Sequence, residues 1–287
     1  MFKDKYAYLF MTIPALLLFL IFHTFPTLQG IFYSFTNWKG YGNWKFTGLR
    51  NYINVFSDPR ALGAYFFTFK FAVISTIVVN ILSLTLAMGL NAKIILKNFF
   101  RAIYFFPKIL SILIVGFIFN YIFGKIIPPI GQGLGIESLS ENILGSPRLA
   151  WIGVVVVAIW QTSAFNTILY LAGLQTIPQE LYEASFIDGA GKWKNFWHIT
   201  FPLIAPFFTI NIVLAMKGFL QVFGLILALT GGGPGFATES ISIIIFRGGF
   251  GGGEFAYQSA NAVIFLIFLV TISLLQIHFL QKREVEI

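Results

Sequence analysis

The sequence predicts an all-α membrane protein with six transmembrane helices. Hydrophobic residues make up 57% of the 287 residues, and charged residues make up only 10%, whereas a soluble domain carries about 25% charged residues. Apolar segments of about 20 residues match a hydrocarbon core about 30 Å thick. Because lipid offers no partners to backbone N–H and C=O groups, such segments must be helical.

The six apolar segments are distributed along the whole chain. The first follows "MFKDK" and is similar in composition to a signal peptide. Its apolar stretch is longer than the apolar region of a signal peptide, which has about 7–15 residues, and no A-x-A cleavage site follows it. We therefore interpret it as an uncleaved membrane helix. The predicted spans are Tyr6–Phe35, Ala64–Leu90, Ala102–Phe123, Ala150–Leu174, Leu203–Leu229 and Ala256–Leu280.

The charge distribution predicts the orientation. Six spans place both termini on one side, and the positive-inside rule makes that side the cytoplasm. The net charge of +8 does not indicate nucleic-acid binding, because no soluble segment clusters lysines with stacking aromatics. We attribute the excess of positive charge to the orientation of the spans and to contacts with lipid headgroups. The cytoplasmic charges are Lys3, Lys5, Lys93, Lys97, Arg101, Lys192, Lys194, Lys282 and Arg283.

Two long loops are predicted on the opposite, outer side, at residues 36–62 and 230–255. Their glycines permit tight turns. Loops of this length serve either as flexible connectors or as docking surfaces, and the sequence leaves both interpretations open. The absence of cysteine from the chain excludes disulfides and thiol chemistry.

Polar side chains inside the spans are candidates for a solute path, since such residues tend to face a bundle interior. The alternative is hydrogen bonding between helices. Lys217 is interpreted as pairing with a partner's acid, meeting an anionic solute or reaching the interface, whereas Lys70 and Lys108 are expected to reach the interface. The polar candidates are Gln161, Thr162, Asn166, Asn211, Lys217, Gln221, Gln258, Ser259 and Asn261.

The stretch "EASFIDGAGKWKNFWHITFP", Glu183–Pro202, is unusually polar for this chain. Thr176, with Gln179 three residues later, predicts an N-cap and a helix over Ile177–Asp188. Gly189 is expected to end it, and a second helix is predicted over Lys192–His198. The residues alone fit either a docking element or an amphipathic connector among headgroups.

This stretch resembles the EAA loop of ABC-importer permeases, whose pattern is E-A-A, three residues, G, nine residues and I-x-L-P. The chain matches it with Glu183-Ala184-Ser185, Gly189 and Ile199-Thr200-Phe201-Pro202. Ser185 and Phe201 depart mildly from the pattern. "GLRNYINVFSDP", "RAIYFFPKILS" and "VFGLILALTGGGPG" extend the resemblance to the maltose-type, carbohydrate-uptake branch.

The resemblance implies a type I ABC importer permease fold. It further implies a second homologous permease, two ATPase subunits that bind ATP and Mg, an extracytoplasmic sugar-binding protein and a bacterial inner membrane. It divides the chain into an N-terminal helix and outer loop (1–63), a core permease domain (64–281) with a cytoplasmic EAA loop (175–202), and a tail (282–287). The residues expected to contact the ATPase are Glu183, Ala184, Ser185, Asp188 and Gly189.

The same resemblance places sugar-contacting positions in the fourth and fifth spans. These are Gln161, Thr162, Phe165, Phe219, Gln221 and Val222, with Ala158 and Gly218 beside them. One alternative is a glycerol-phosphate permease. A self-sufficient transporter or a membrane enzyme is a further alternative that fits the sequence less well. "GAGKW" lacks the spacing of a phosphate-binding loop, so ATP hydrolysis is expected on separate subunits.

Overall fold

A computed structural model describes residues 2–92 and 95–281. Apart from an isolated antiparallel bridge between Thr36 and Phe46, the regular structure of this part of the chain is helical. The helices of the first half are α1 (Phe2–Phe19, a π-helical turn at Leu20–Thr24, then Phe25–Tyr33), α2 (Arg50–Ser57), α3 (Pro59–Asn91), α4 (Lys97–Ile109) and α5 (Ile112–Tyr121, a π-helical turn at Ile122–Ile126, then Ile127–Leu134).

From Ala150 onward, the described residues form seven further helical elements. They are α6 (Ala150–Gln175), α7 (Gln179–Ile187), α8 (Lys192–Asn195, a π-helical turn at Phe196–Thr200, then Phe201–Leu203), α9 (Ala205–Leu220), α10 (Gly224–Leu229), α11 (Ile241–Phe250) and α12 (Phe255–Gln281).

Five helical segments are long and apolar enough to cross a membrane: Phe10–Tyr33, Pro59–Asn91, Ile112–Leu134, Ala150–Gln175 and Phe255–Leu280. Helices α8 and α9 together form a sixth candidate, bent by 69° at the break between them. The predicted all-α fold with six spans is confirmed when this bent pair is counted as one span.

The third span differs from the predicted continuous helix Ala102–Phe123. Helix α4 contains Pro107 and ends at Ile109, because Leu110 and Ser111 are extended, with ψ of 139° and 134°. The long apolar helix therefore begins only at Ile112.

The fifth span also differs from the prediction, which made it continuous over Leu203–Leu229. The chain bends at Ile204, whose ψ is 3°, so Pro202 lies before the bend rather than opening the span. Helix α9 then stops at Leu220, and α10 starts at Gly224. Gln221 and Gly224 lie at the break, but the prediction treated both as part of a continuous helix.

The two predicted outer loops each contain a helix. Helix α2 lies in the first loop and the apolar helix α11 in the second. Ile241 and Ile243 are fully buried, so burial of apolar side chains stabilises α11. The interpretation of these segments as flexible connectors is wrong for this part of the second loop.

The chain forms two compact units, one of which combines residues 1–62 with 244–267. Within it, the Trp38 ring stacks on Tyr33 with ring centroids 4.1 Å apart, and the Ala256 N–H donates to the Trp38 carbonyl. Asn51 donates from Nδ2 to the carbonyls of Ser34 and Thr36. These bonds order the segment that precedes α2.

The second unit contains residues 63–243 and 268–287. Its core is formed by side chains of α3, α5, α6, α9 and α10, among them Val79, Val154, Leu220 and Ile226. The predicted division at residues 63 and 64 stays a prediction. Lys93 and the predicted tail 282–287 lie outside the described residues.

Candidate functional site: a cavity at two helix breaks

A cavity of about 500 Å³ lies within the second unit, between α6 and two breaks in neighbouring helices. One break separates α4 from α5 and the other separates α9 from α10. Backbone that leaves the helix at membrane depth is tolerated where it lines a cavity. The lining residues are Lys108, Ile112, Ala158, Gln161, Thr162, Phe165, Asn166, Leu214, Ala215, Gly218, Phe219, Gln221, Val222, Phe223, Gly224 and Leu225.

The side chain of Gln161, a residue of α6, stabilises the break between α4 and α5. Gln161 donates from Nε2 to the Leu110 carbonyl at 3.0 Å and to the Pro107 carbonyl at 3.5 Å. The end of a helix leaves carbonyl groups without an intrahelical partner. Gln161 therefore donates to two carbonyl groups at the break while its side chain lines the cavity.

The break between α9 and α10 is held from the segment before α11. Ser240 donates from Oγ to the Val222 carbonyl at 2.9 Å, and Thr68 Oγ1 accepts from the Ile241 N–H at 3.1 Å. Leu220 and Leu225, on either side of the break, are almost fully buried. The break is consequently a fixed feature of the core rather than a frayed helix end.

All six residues predicted to contact a solute line this one cavity. Phe219 and Val222 are buried, Gln161, Thr162 and Phe165 are half-buried, and Gln221 is exposed. Phe219 also packs edge-on against Phe71 with ring centroids 5.6 Å apart. The walls thus combine apolar surface with a few polar groups, which is the composition typical of small-molecule sites. Contact with a solute stays a prediction.

Other polar candidates fall elsewhere. Asn211 is fully buried, and neither polar atom of its side chain is paired in the described part of the chain; it does not line the cavity. Lys217 is exposed and also lies off the cavity wall. Gln258 and Asn261 belong to the first unit, where Asn261 donates to Gln258 at 3.2 Å.

Two further residues line the wall. Asn166, a polar candidate of the sequence, is buried, and its Nδ2 has no hydrogen-bond partner among the described residues. Lys108 is exposed and lines the cavity, with Nζ 5.3 Å from the centre of the Phe165 ring. Its expected reach to the membrane interface stays a prediction.

The EAA loop forms a helix that ends at a glycine corner. Helix α7 covers Gln179–Ile187 and Gly189 follows with φ of +73°. The Ala190 N–H donates to the Ser185 carbonyl at 2.9 Å and the Gly189 N–H to the Phe186 carbonyl at 3.1 Å. This pair of bonds is the Schellman motif, which favours glycine at the left-handed position. The predicted glycine stop is confirmed.

The predicted start of this helix is wrong. Thr176 does not cap α7, because its hydroxyl donates back to the Gly173 carbonyl at 2.8 Å and ends α6. Pro178 is extended and precedes the first turn, so α7 begins at Gln179 rather than Ile177. The second helix also runs on past His198, through a π-helical turn to Leu203.

The corner presents both polar and apolar side chains. Glu183, Ala184, Asp188 and Gly189 are exposed, and Ser185 is half-buried. Phe186 and Ile187, with exposed fractions of 81% and 85%, are also exposed and were not predicted as contact residues. Exposed apolar side chains grouped in this way are typical of a protein interface.

Within residues 2–92 and 95–281, no group of His, Asp and Glu side chains is arranged to hold a metal ion. The cavity walls contain no carboxylate among the described residues. The described wall offers hydrogen-bonding groups, aromatic surface and one cation.

Comparison with known proteins identifies the class. The chain matches the family described as binding-protein-dependent transport system inner membrane component over residues 79–285. It is 39% identical over 284 residues to the multiple sugar-binding transport system permease protein MsmF of Streptococcus mutans, covering 98% of each chain. It is 36% identical over 285 residues to the probable starch degradation products transport system permease protein AmyD of Thermoanaerobacterium thermosulfurigenes, covering 99% of this chain and 97% of the relative.

A solved structure agrees in fold. The chain superposes with a TM-score of 0.85, at 23% identity, on a chain from the crystal structure of a bacterial ABC transporter involved in the import of the acidic polysaccharide alginate. The match covers 98% of this chain and 96% of the other. The fold is that of a type I ABC importer permease, a multi-pass membrane protein. The chain belongs to the family of binding-protein-dependent transport system inner membrane components.

Proposed function

We propose that this chain is the permease subunit of a binding-protein-dependent ABC importer for sugars, with an oligosaccharide as the cargo. The observation that carries the proposal is the full-length similarity to permeases named for sugar uptake, at 36% and 39% identity. The cavity at the two helix breaks supports it, because aromatic and polar groups share its walls. A sugar presents hydroxyl groups to the polar side chains and apolar ring faces to the aromatic ones.

The chain supplies half of the path, and a second, homologous permease supplies the other half. Gln161, Thr162, Phe165, Phe219, Gln221 and Val222 contact the solute on this side. An extracytoplasmic sugar-binding protein delivers the cargo. Both termini lie in the cytoplasm of a bacterial cell whose inner membrane the chain crosses.

The EAA loop couples the movement of two separate ATPase subunits, which bind ATP and Mg, to the membrane helices. Glu183, Ala184, Ser185, Asp188 and Gly189 form the contact, which the exposed apolar side chains of Phe186 and Ile187 enlarge. Closure of the ATPase dimer draws the two EAA loops together and turns the cavity outward. ATP hydrolysis resets the inward-facing state.

Two alternatives are less well supported. A glycerol-phosphate ester requires several cations, and the described cavity wall contains Lys108 as its one cationic side chain. A self-sufficient transporter or a membrane enzyme would work without an ATPase partner. Uptake by the purified chain alone would overturn the proposed function.

The test reconstitutes the complete importer in proteoliposomes and compares Glu183→Ala with Glu180→Ala. Both glutamates lie on α7, but Glu180 is in its first turn, away from the corner. We expect Glu183→Ala to lower sugar uptake while the assembled ATPases still hydrolyse ATP, and Glu180→Ala to behave as the wild type. Normal uptake by Glu183→Ala would contradict the coupling role.

A further inference from the structure

Lys108 is exposed and lies on the wall of the cavity. It follows Pro107 in the last turn of α4, two residues before the extended Leu110 and four residues before α5 begins at Ile112. Gln161 fixes this part of the backbone through its bonds to the Pro107 and Leu110 carbonyls. The position of the lysine is therefore determined by the helix break.

The ammonium group contacts an aromatic face rather than an acid. Its Nζ lies 5.3 Å from the centre of the Phe165 ring, and the described cavity wall contains no Asp or Glu. A cation–π contact is generally weaker than a hydrogen bond from a charged donor. An oxygen atom of a bound molecule would thus replace the ring as the better partner.

Other hydrogen-bonding side chains share the wall with Lys108. Gln161 bonds to the backbone at the break, and Thr162 and Gln221 also line the cavity. The ammonium therefore belongs to a group of polar side chains that can bind a solute with several oxygen atoms.

We propose that Lys108 is a solute-binding residue that determines the specificity of the cavity. Its ammonium exchanges the Phe165 ring for an oxygen of the sugar, and the exposed ring face then receives the apolar face of a sugar ring. The inference rests on the proposed function, which it deepens. The shared chemistry is a sugar oxygen, either a hydroxyl or a carboxylate, accepting from the ammonium.

The experiment measures equilibrium binding and uptake of two probes, neutral maltotriose and carboxylate-bearing trigalacturonate, by the assembled importer. Lys108→Met removes the charge and the donors, and Lys108→Gln restores donors without the charge. Lys70→Met is the matched control, because Lys70 Nζ lies 4.1 Å from the Trp151 ring, in the same type of contact but away from the cavity.

We expect Lys108→Met to weaken binding of the transported probe about tenfold or more, and Lys70→Met to leave it unchanged. Weakened maltotriose binding that Lys108→Gln restores identifies a hydroxyl acceptor, and weakened trigalacturonate binding that it does not restore identifies a carboxylate. Either result supports the inference. Thermal unfolding of each variant shows whether the chain still folds and assembles.

Unchanged binding of both probes by Lys108→Met, with binding by the wild type intact, overturns the inference and leaves the proposed function standing. Failure of the wild-type importer to bind or transport any sugar overturns the proposed function instead. An equal loss in Lys108→Met and Lys70→Met assigns the effect to the stability of the fold and also overturns the inference.

Discussion

The Tyr182 hydroxyl lies 2.9 Å from Thr200 Oγ1, so a hydrogen bond connects α7 to the π-helical turn within α8. The two residues flank the glycine corner of the EAA loop, and Thr200 is buried. Within α7, Ser185 donates from Oγ to the Tyr182 carbonyl at 2.9 Å. The corner is thereby tied to the helix that leads into α9, and a force applied at the corner can reach α9.

Tyr182→Phe removes this connection while preserving the ring. A neutral hydrogen bond contributes about 0.5–1.5 kcal/mol, so we expect the chain to fold but to transport severalfold less sugar per ATP hydrolysed. The ratio of uptake to hydrolysis in proteoliposomes measures this. Tyr41→Phe, at an exposed tyrosine outside the EAA loop, is the control. An unchanged ratio in Tyr182→Phe would show that the connection does not transmit force.

Gly189→Ala tests the backbone of the corner. No atom lies within 4 Å of the added Cβ, so the cost comes only from the φ of +73°, about 1–2 kcal/mol for an alanine. We expect reduced coupling of hydrolysis to uptake. Gly191→Ala is a matched control, because Gly191 has φ of −73° and equally free space.

Gly189→Asn sharpens this test, since asparagine adopts the left-handed conformation more readily than alanine. We expect it to retain more coupling than Gly189→Ala. Equal loss in the two variants would indicate that the smallness of the residue, and not its backbone conformation, matters at this position.

The residues that line the cavity were predicted from the sequence, whereas the helix breaks that form it were not. Gln161, Phe165, Phe219 and Gln221 line one cavity, as the resemblance to maltose-type permeases implied. The break at Gln221–Phe223 was not predicted, because the span was interpreted as one helix despite Gln221 and Gly224, and the stabilising bond from Ser240 comes from a distant segment. Hydropathy reports burial in lipid and does not report where a helix stops.

Local capping signals were equally ambiguous at Thr176. A threonine hydroxyl can cap either end of a helix. Here it caps the end of α6, because α6 extends to Gln175 and the Gly173 carbonyl accepts the bond. Gly189 was predictable, because the left-handed position after a helix strongly favours glycine. The position of Lys108 on the cavity wall was not predicted, since Pro107 was interpreted as part of a continuous span.

Gln161→Leu separates a structural role from a solute-binding role. Removal of the amide leaves the Leu110 and Pro107 carbonyls without their partner, which costs about 1–3 kcal/mol for buried groups. We expect a lower midpoint of thermal unfolding even without sugar. Thr162→Val, at the neighbouring position on the same wall, should alter uptake with little effect on the midpoint. Native stability in Gln161→Leu would show that the side chain does not stabilise the break.

Gly116→Ala tests the contact between α5 and α10 that positions the second break. A Cβ on Gly116 would lie 2.6 Å from the Ala228 Cβ and 3.3 Å from two backbone atoms of α10. Close by, Asn120 donates from Nδ2 to the Leu229 carbonyl at 2.7 Å, so the helices have little room to separate. We expect Gly116→Ala to destabilise the chain by about 1–3 kcal/mol and to lower sugar uptake, because α10 begins at the cavity wall.

Ala228→Gly provides the second-site test of this contact. In combination with Gly116→Ala it removes the closest clash and leaves the two backbone contacts, so we expect partial recovery of the thermal unfolding midpoint. Gly133→Ala, on the same helix α5 but with no atom within 4 Å of the new Cβ, should leave the midpoint unchanged or raise it, since alanine favours the helix. If Ala228→Gly gave no recovery, the loss in Gly116→Ala would have to arise elsewhere than at the α5–α10 contact.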